Sequence, residues 1–78
     1  MKSIHDLRYA QTIELLIHKR EVAAVTQAEL AVRLGKHQSY VAKVENLDRR
    51  IDIIELVDWL RALGIVPQEF VDHLNWWR

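Results

Sequence analysis

Residues 26–46, TQAELAVRLGKHQSYVAKVEN, spell two short helices separated by a turn at Gly35, and no other stretch restricts the fold as strongly. Thr26 can accept from the backbone N–H three residues on, and Glu29 can reach back to the N–H of Thr26. Val25 before this cap and Leu30 after it fit a hydrophobic staple, which sets the angle at which the chain joins the helix. Leu34 ends the apolar periodicity, and Gly35 supplies a left-handed residue that stops the helix. A second helix starts near Gln38. It places Val41 and Val44 on one side and leaves Gln38, Ser39, Tyr40 and Lys43 largely on the other. An apolar stripe backed by Gln, Ser and Lys is suited to presenting hydrogen-bonding groups to base edges, so the partner indicated is double-stranded DNA, read in its major groove.

The rest of the chain reads as helix. Leu7, Ala10, Ile13, Leu16 and Ile17 recur at three- and four-residue steps, which predicts a first helix from about residue 6 to residue 23. Asp52 with Glu55 three residues on repeats the boxed cap, with Ile51 and Leu56 as its staple, and opens a fourth helix that ends at Gly64. Pro67 suits the first position of a fifth, expected over residues 67–77, with Phe70, Val71 and Leu74 on its apolar face. Strand signals, internal repeats and low-complexity segments are missing. The expectation is an all-α, compact five-helix bundle forming a single domain over residues 1–78. Its core candidates are Ile13, Leu16, Ile17, Leu30, Leu34, Val41, Val44, Leu56 and Leu60.

Composition narrows the function classes. The chain has no cysteine, which excludes a disulfide framework and a thiolate zinc site. His5, His18, His37 and His73 lie on different elements without metal-ligand spacing. There is no glycine-rich phosphate loop and no nucleophile–base arrangement, so neither an enzyme nor a cofactor is expected. The first fifteen residues, with Lys2, His5, Asp6 and Arg8, lack the apolar core of a signal peptide, and no apolar run approaches membrane length. A cytoplasmic protein with no membrane partner is expected. Eleven basic and eleven acidic residues cancel overall, yet residues 33–50 carry a net +3 and residues 51–78 a net −3. The basic excess falls on the proposed reading unit, where a local field can steer a phosphate backbone.

The segments Thr26-Gln27-Ala28-Glu29-Leu30-Ala31, Leu34-Gly35, Gln38-Ser39-Tyr40-Val41, Lys43-Val44-Glu45-Asn46, Arg49-Arg50 and Ala62-Leu63-Gly64 together resemble the lambda-repressor/Cro-like, XRE-type helix-turn-helix proteins. The resemblance runs from about Tyr9 to Leu74. It implies that Gln27, at the start of the second helix, bonds a phosphate and braces the first reading side chain. It also implies that Gln38 is that reading side chain, its amide matched to N6 and N7 of adenine. Ser39 can bond a base or a phosphate, and Lys43, one turn on, can donate to guanine. Tyr40 either meets a sugar, a thymine methyl or a phosphate, or packs half-buried against the core. Lys36, His37, Arg49 and Arg50 flank the helix and would grip the backbone, setting register without reading sequence; His37 can alternatively cap the helix. The resemblance further implies a partly buried ion pair between Arg20 and Glu45, locking the reading unit onto helix 1. Three positions depart from the family pattern. Ala24, in the turn before the second helix, and Leu47 stand where Gly is usual, with Asn46 expected to end the third helix in place of a glycine at 47, and Val66 replaces a capping Asp before Pro67.

Trp76 and Trp77 are neighbours, so one helix cannot bury both on one face. Tryptophan is enriched at interface hot spots. With Phe70 and Leu74 they are the expected contact of a two-fold homodimer, holding two reading helices about 34 Å apart over successive major grooves. The alternative is that the tail folds back onto helix 1 of its own chain. The function expected is a sequence-specific DNA-binding transcriptional regulator, a repressor acting on an inverted repeat. The alternative is a protein-interaction module, such as an antitoxin that neutralises a toxin partner, with DNA binding secondary.

Overall fold

A computed structural model describes residues 6–78; Lys2 and His5 lie outside the described residues. Five helices follow in order: α1 Leu7–Val22, α2 Gln27–Leu34, α3 Gln38–Glu45, α4 Ile53–Ala62 and α5 Pro67–His73. The structure is an all-α bundle in which α2 packs against α3 and α4, α1 against α3, and α5 against α4.

Helix starts follow local chemistry. Thr26 accepts from the Glu29 N–H at 3.0 Å while Glu29 accepts from the Thr26 N–H at 3.1 Å. Asp52 and Glu55 exchange the same pair of bonds at 2.8 and 3.0 Å. Asp6 caps α1 by accepting from the Arg8 N–H. The Arg8 guanidinium lies against the same carboxylate and holds it down to about 2. α5 begins at Pro67 with Val66 as a cap lacking a side-chain bond, as its apolar side chain requires.

Four helix ends close in one way. The N–H of the left-handed residue bonds back to the helix, and the next N–H reaches one carbonyl further, the paired closure of a left-handed C-terminus. The pairs are Ala24 to Glu21 and Val25 to Arg20, Gly35 to Val32 and Lys36 to Ala31, Leu47 to Val44 and Asp48 to Lys43, and Gly64 to Arg61 and Ile65 to Leu60. Gly35 and Gly64 adopt the positive φ that this closure needs, but so do Ala24 (φ 57°) and Leu47 (φ 63°). Asn46 does not take the left-handed position, contrary to expectation; its φ is −84° and Leu47 turns the chain instead. Leu47 can do so because its side chain packs on the core.

The core joins Ile13 and Leu16 of α1, Leu30 and Ala31 of α2, Val41 and Val44 of α3, Trp59 and Leu60 of α4, and Phe70 of α5, together with Val25, Ile51 and Leu74. Ile17, Leu34 and Leu56 pack at its edge rather than inside, and Leu7 is exposed. α5 is shorter than its sequence suggests. It stops at His73, and Leu74 is extended (ψ 136°), which turns its side chain back into the core. Phe70 and Leu74 were expected to face a second copy. Both are buried in their own chain and cannot form that contact.

Trp76 and Trp77 therefore lie beyond the helix. The Trp76 indole donates to the Thr12 hydroxyl of α1 at 3.0 Å, and the Trp77 indole donates to the Val71 carbonyl at 2.7 Å. The tail thus folds back over α1, while the two residues remain 41% and 51% exposed.

Candidate nucleic-acid interface

Eight residues of α3 are too few to persist as an isolated helix in water. Its position is fixed along its inner side and at its C-terminus. Val41 and Val44 are fully buried and fasten its inner side to the core. At its C-terminus, Glu45 meets Arg20 of α1, with Nε 2.7 Å from Oε2 and Nη2 3.0 Å from Oε1. The two side chains are only 12% and 5% exposed. Arg20 spends its remaining Nη1 on the Val25 carbonyl at 2.9 Å, so one guanidinium joins α1, α3 and the turn leading into α2. The carboxylate raises the Arg20 pKa, keeping it cationic at any working pH.

Gln27 was expected to brace the start of α3. Its amide instead donates to Glu45 Oε1 at 2.8 Å, at the far end of the helix. It completes the set of donors on a carboxylate that is almost out of water, and a buried charge needs that full set.

Around the first turn of α3 the side chains point outward. Lys36, His37, Gln38 and Ser39 are exposed, as is Lys43 one turn later. His37 occupies the N-cap position without a side-chain cap bond, so the expected capping role is not seen. Among the described residues, the side chains of Gln38, Ser39 and Lys43 make no hydrogen bond within the chain.

Tyr40 differs from its neighbours. It is half-buried, edge-on to Trp59 with ring centroids 6.2 Å apart, and its hydroxyl donates to Glu55 Oε2 at 3.1 Å. Burial pushes the Tyr40 hydroxyl up, and the Glu55 carboxylate acts in the same direction. Of the two alternatives for Tyr40, packing against its own chain is the one observed. Arg49 also bonds Glu55 Oε2, at 3.0 Å, and lies 4.8 Å from the Tyr40 ring centroid. The Lys36 ammonium stands 5.4 Å from the same centroid. Arg50 is set over Tyr9 of α1 at 5.1 Å, and the Tyr9 hydroxyl accepts the Ile51 N–H at 3.1 Å. The loop after α3 is thus tied to α1 on one side and to α4 on the other.

Lys36, His37, Gln38, Ser39, Lys43, Arg49 and Arg50 share the exposed surface around α3 and its flanking turns, whereas Gln27 and Tyr40 are engaged inside the chain. Glu55 and Tyr9 were not anticipated. Glu55 carries a sequence signal, but for capping only. The bonds of its second oxygen cross fifteen and six residues and leave no periodic trace. Among the described residues no group of three or more His, Cys, Asp or Glu could hold a metal ion, and no helix is long and apolar enough to cross a membrane.

A sequence model described as helix-turn-helix matches residues 19–70, two thirds of the chain. The chain belongs to the XRE/Cro-like helix-turn-helix family of DNA-binding regulators. An XRE-family like protein from Pseudomonas syringae pv. tomato str. DC3000 is 45% identical, with a TM-score of 0.85 over 94% of this chain and 89% of that one. Two single-substitution variants of the restriction-modification controller protein C.Esp1396I share the fold. Their TM-scores are both 0.83 at 19% and 17% identity, over 88% of this chain and 92% and 87% of theirs. No curated protein matches the chain in sequence. As a member of this family the chain is a DNA-binding regulator rather than an enzyme.

Proposed function

We propose that the protein is a repressor that binds an inverted repeat in double-stranded DNA as a homodimer, inserting the N-terminal turn of α3 into the major groove. The observation that carries this reading is the outward, unpartnered set Gln38, Ser39 and Lys43 on a helix whose opposite side is fully buried. Gln38 is assigned to adenine N6 and N7, Lys43 to guanine O6 or N7, and Ser39 to a base or the adjoining phosphate. Lys36, His37, Arg49 and Arg50 take phosphates and fix register. Family habit supports the dimer, and the size of the domain is compatible with it. The domain measures 32 × 27 × 20 Å, so two copies placed side by side would have room to set their reading helices about one helical turn apart, roughly 34 Å. Trp76 and Trp77 are the members of the expected contact that still offer apolar surface to a second copy.

Selection of bound sequences from a random duplex library tests the whole reading. Two symmetric half-sites, centred about 34 Å apart, are expected. Enrichment of a single asymmetric half-site would reject the homodimer. No enrichment at low salt, with a second protein co-purifying, would reject DNA repression in favour of a toxin-neutralising module. Sedimentation of a Trp76→Ala, Trp77→Ala variant tests the contact; an unchanged oligomeric state would remove the tail from it.

A further inference from the structure

Glu55 belongs to α4, outside the helix-turn-helix, yet one of its oxygens holds two side chains of the reading unit. Oε1 accepts the Asp52 N–H and closes the α4 cap, while Oε2 accepts both the Tyr40 hydroxyl and Arg49 Nη1. Arg49 uses Nη1 a second time, donating to the Arg50 carbonyl at 3.0 Å. A guanidinium has five N–H donors. Among the described residues the Nε and Nη2 groups of Arg49 have no acceptor, and these form the edge that grips a phosphate in a two-pronged bond. Arg49 is 43% exposed and Glu55 24%, so the pair sits at the rim of the interface rather than inside it.

We propose that Glu55 is a positioning residue for DNA discrimination: it anchors Arg49 through Nη1, aims the Nε–Nη2 edge at the duplex, and offsets part of that cation's charge. This rests on the DNA-binding reading above. An unheld arginine contributes a full charge to any phosphate, whatever the sequence. An arginine tethered to a carboxylate gives up much of that indiscriminate attraction and favours a phosphate that arrives where its remaining edge points. Tyr40 adds to the constraint, because its ring backs the guanidinium and its hydroxyl shares the same carboxylate oxygen. Glu55 thereby links the position of Arg49 to that of α3.

The test is a cycle of Glu55→Gln, Arg49→Gln and the double variant, measured for binding to random duplex and to the selected site across a salt series. Gln serves in a boxed cap as Glu does, so the α4 start is kept; thermal melting of each variant checks this. Glu55→Gln is expected to bind random duplex several-fold more tightly at low salt, with a log–log salt slope steeper by up to about 0.9, the increment for one further phosphate contact. The selected site should gain less, so discrimination falls. In the Arg49→Gln background the Glu55→Gln change should no longer steepen the slope. An unchanged slope in Glu55→Gln overturns the proposal. So does a steeper slope that persists without Arg49, since Glu55 would then act only as a distant negative charge. Failure of the unaltered protein to bind any duplex at low salt rejects the DNA-binding reading itself and is seen separately in the same series.

Discussion

Replacing Arg20 with Met should be among the most damaging single changes that leave the apolar core intact. The side chain spans three elements through three hydrogen bonds, two to Glu45 and one to the Val25 carbonyl. Met fills comparable volume but donates nothing. Glu45, 5% exposed, would keep only the Gln27 amide, and the Val25 carbonyl would lose its side-chain partner. Stranding one member of a buried pair costs about 3–5 kcal/mol. A domain of this size has total stability of order 4–12 kcal/mol, at roughly 0.05–0.15 kcal/mol per residue. At about 4–8 °C per kcal/mol, the melting point should fall by about 12 °C or more. Glu45→Gln should cost less, because its amide can keep some of the bonds and no charge is stranded. The diagnostic variant is Arg20→Met with Glu45→Met, which removes both charges and should recover much of the loss. Thermal and urea unfolding of the four proteins give the cycle. If Arg20→Met lies within about 0.5 kcal/mol of the parent, the range of an ordinary surface substitution, the pair is not holding α3 to α1. If the double variant is no better than Arg20→Met, the cost comes from lost packing rather than from an abandoned charge.

Three further outcomes are expected. Gln38→Ala should weaken the selected site by about 1–3 kcal/mol and relax preference at one base pair, with random-duplex affinity and salt slope unchanged; a uniform loss on all sequences would show a backbone role instead. Ala24→Gly should stabilise the fold by about 0.5–1 kcal/mol, since left-handed backbone costs an L-residue roughly 1–2 kcal/mol and the extra chain entropy of Gly returns only part of it. Leu47→Gly should show no such gain because it also gives up core contact, and equal gains at both sites would contradict this account. Acid should weaken the fold modestly through lowered carboxyls. Glu29 and Glu55 are held below the usual 4.5, each chiefly by the backbone N–H of its cap, and Asp6 is held at about 2 by Arg8. Because these folded values are depressed, their stabilisation is complete above about pH 4.5 and lost as pH falls through them. Urea midpoints at pH 7, 4.5 and 3 should therefore decline mainly between the last two, and identical midpoints at pH 4.5 and 3 would refute this.

Features whose partners lie three to six residues away were legible in the sequence. Thr26 with Glu29, Asp52 with Glu55, and the turns at Gly35 and Gly64 all depend on short-range hydrogen bonding that residue type dictates. The side of α3 that faces inward was equally legible, because Val41 and Val44 fall at helical spacing. The Arg20–Glu45 pair came from family resemblance; twenty-five residues of separation carry no spacing rule. Gln27 was assigned to a phosphate by family resemblance, and Tyr40 was left between a DNA contact and packing against its own chain. What decides their direction is a carboxylate elsewhere, Glu45 for one and Glu55 for the other, and neither is visible before the helices are packed. The expected dimer contact was misplaced at Phe70 and Leu74 for a related reason. Phe70, Val71 and Leu74 were read as one helical face, but the helix ends before Leu74, Val71 is exposed, and periodicity does not say whether an apolar side chain meets its own chain or another. The two left-handed non-glycine residues show packing and hydrogen bonding overriding backbone preference.

The fastening of α3 along its inner side and at its C-terminus has a thermodynamic consequence. A segment this short has its order supplied when the domain folds, so little remains to be supplied at the duplex. Calorimetric titration on the selected site should give a heat-capacity change that scales with the surface covered, without the surplus that marks a segment folding as it docks. Encounter with the selected site should then be limited by diffusion and orientation rather than by waiting for a competent conformer.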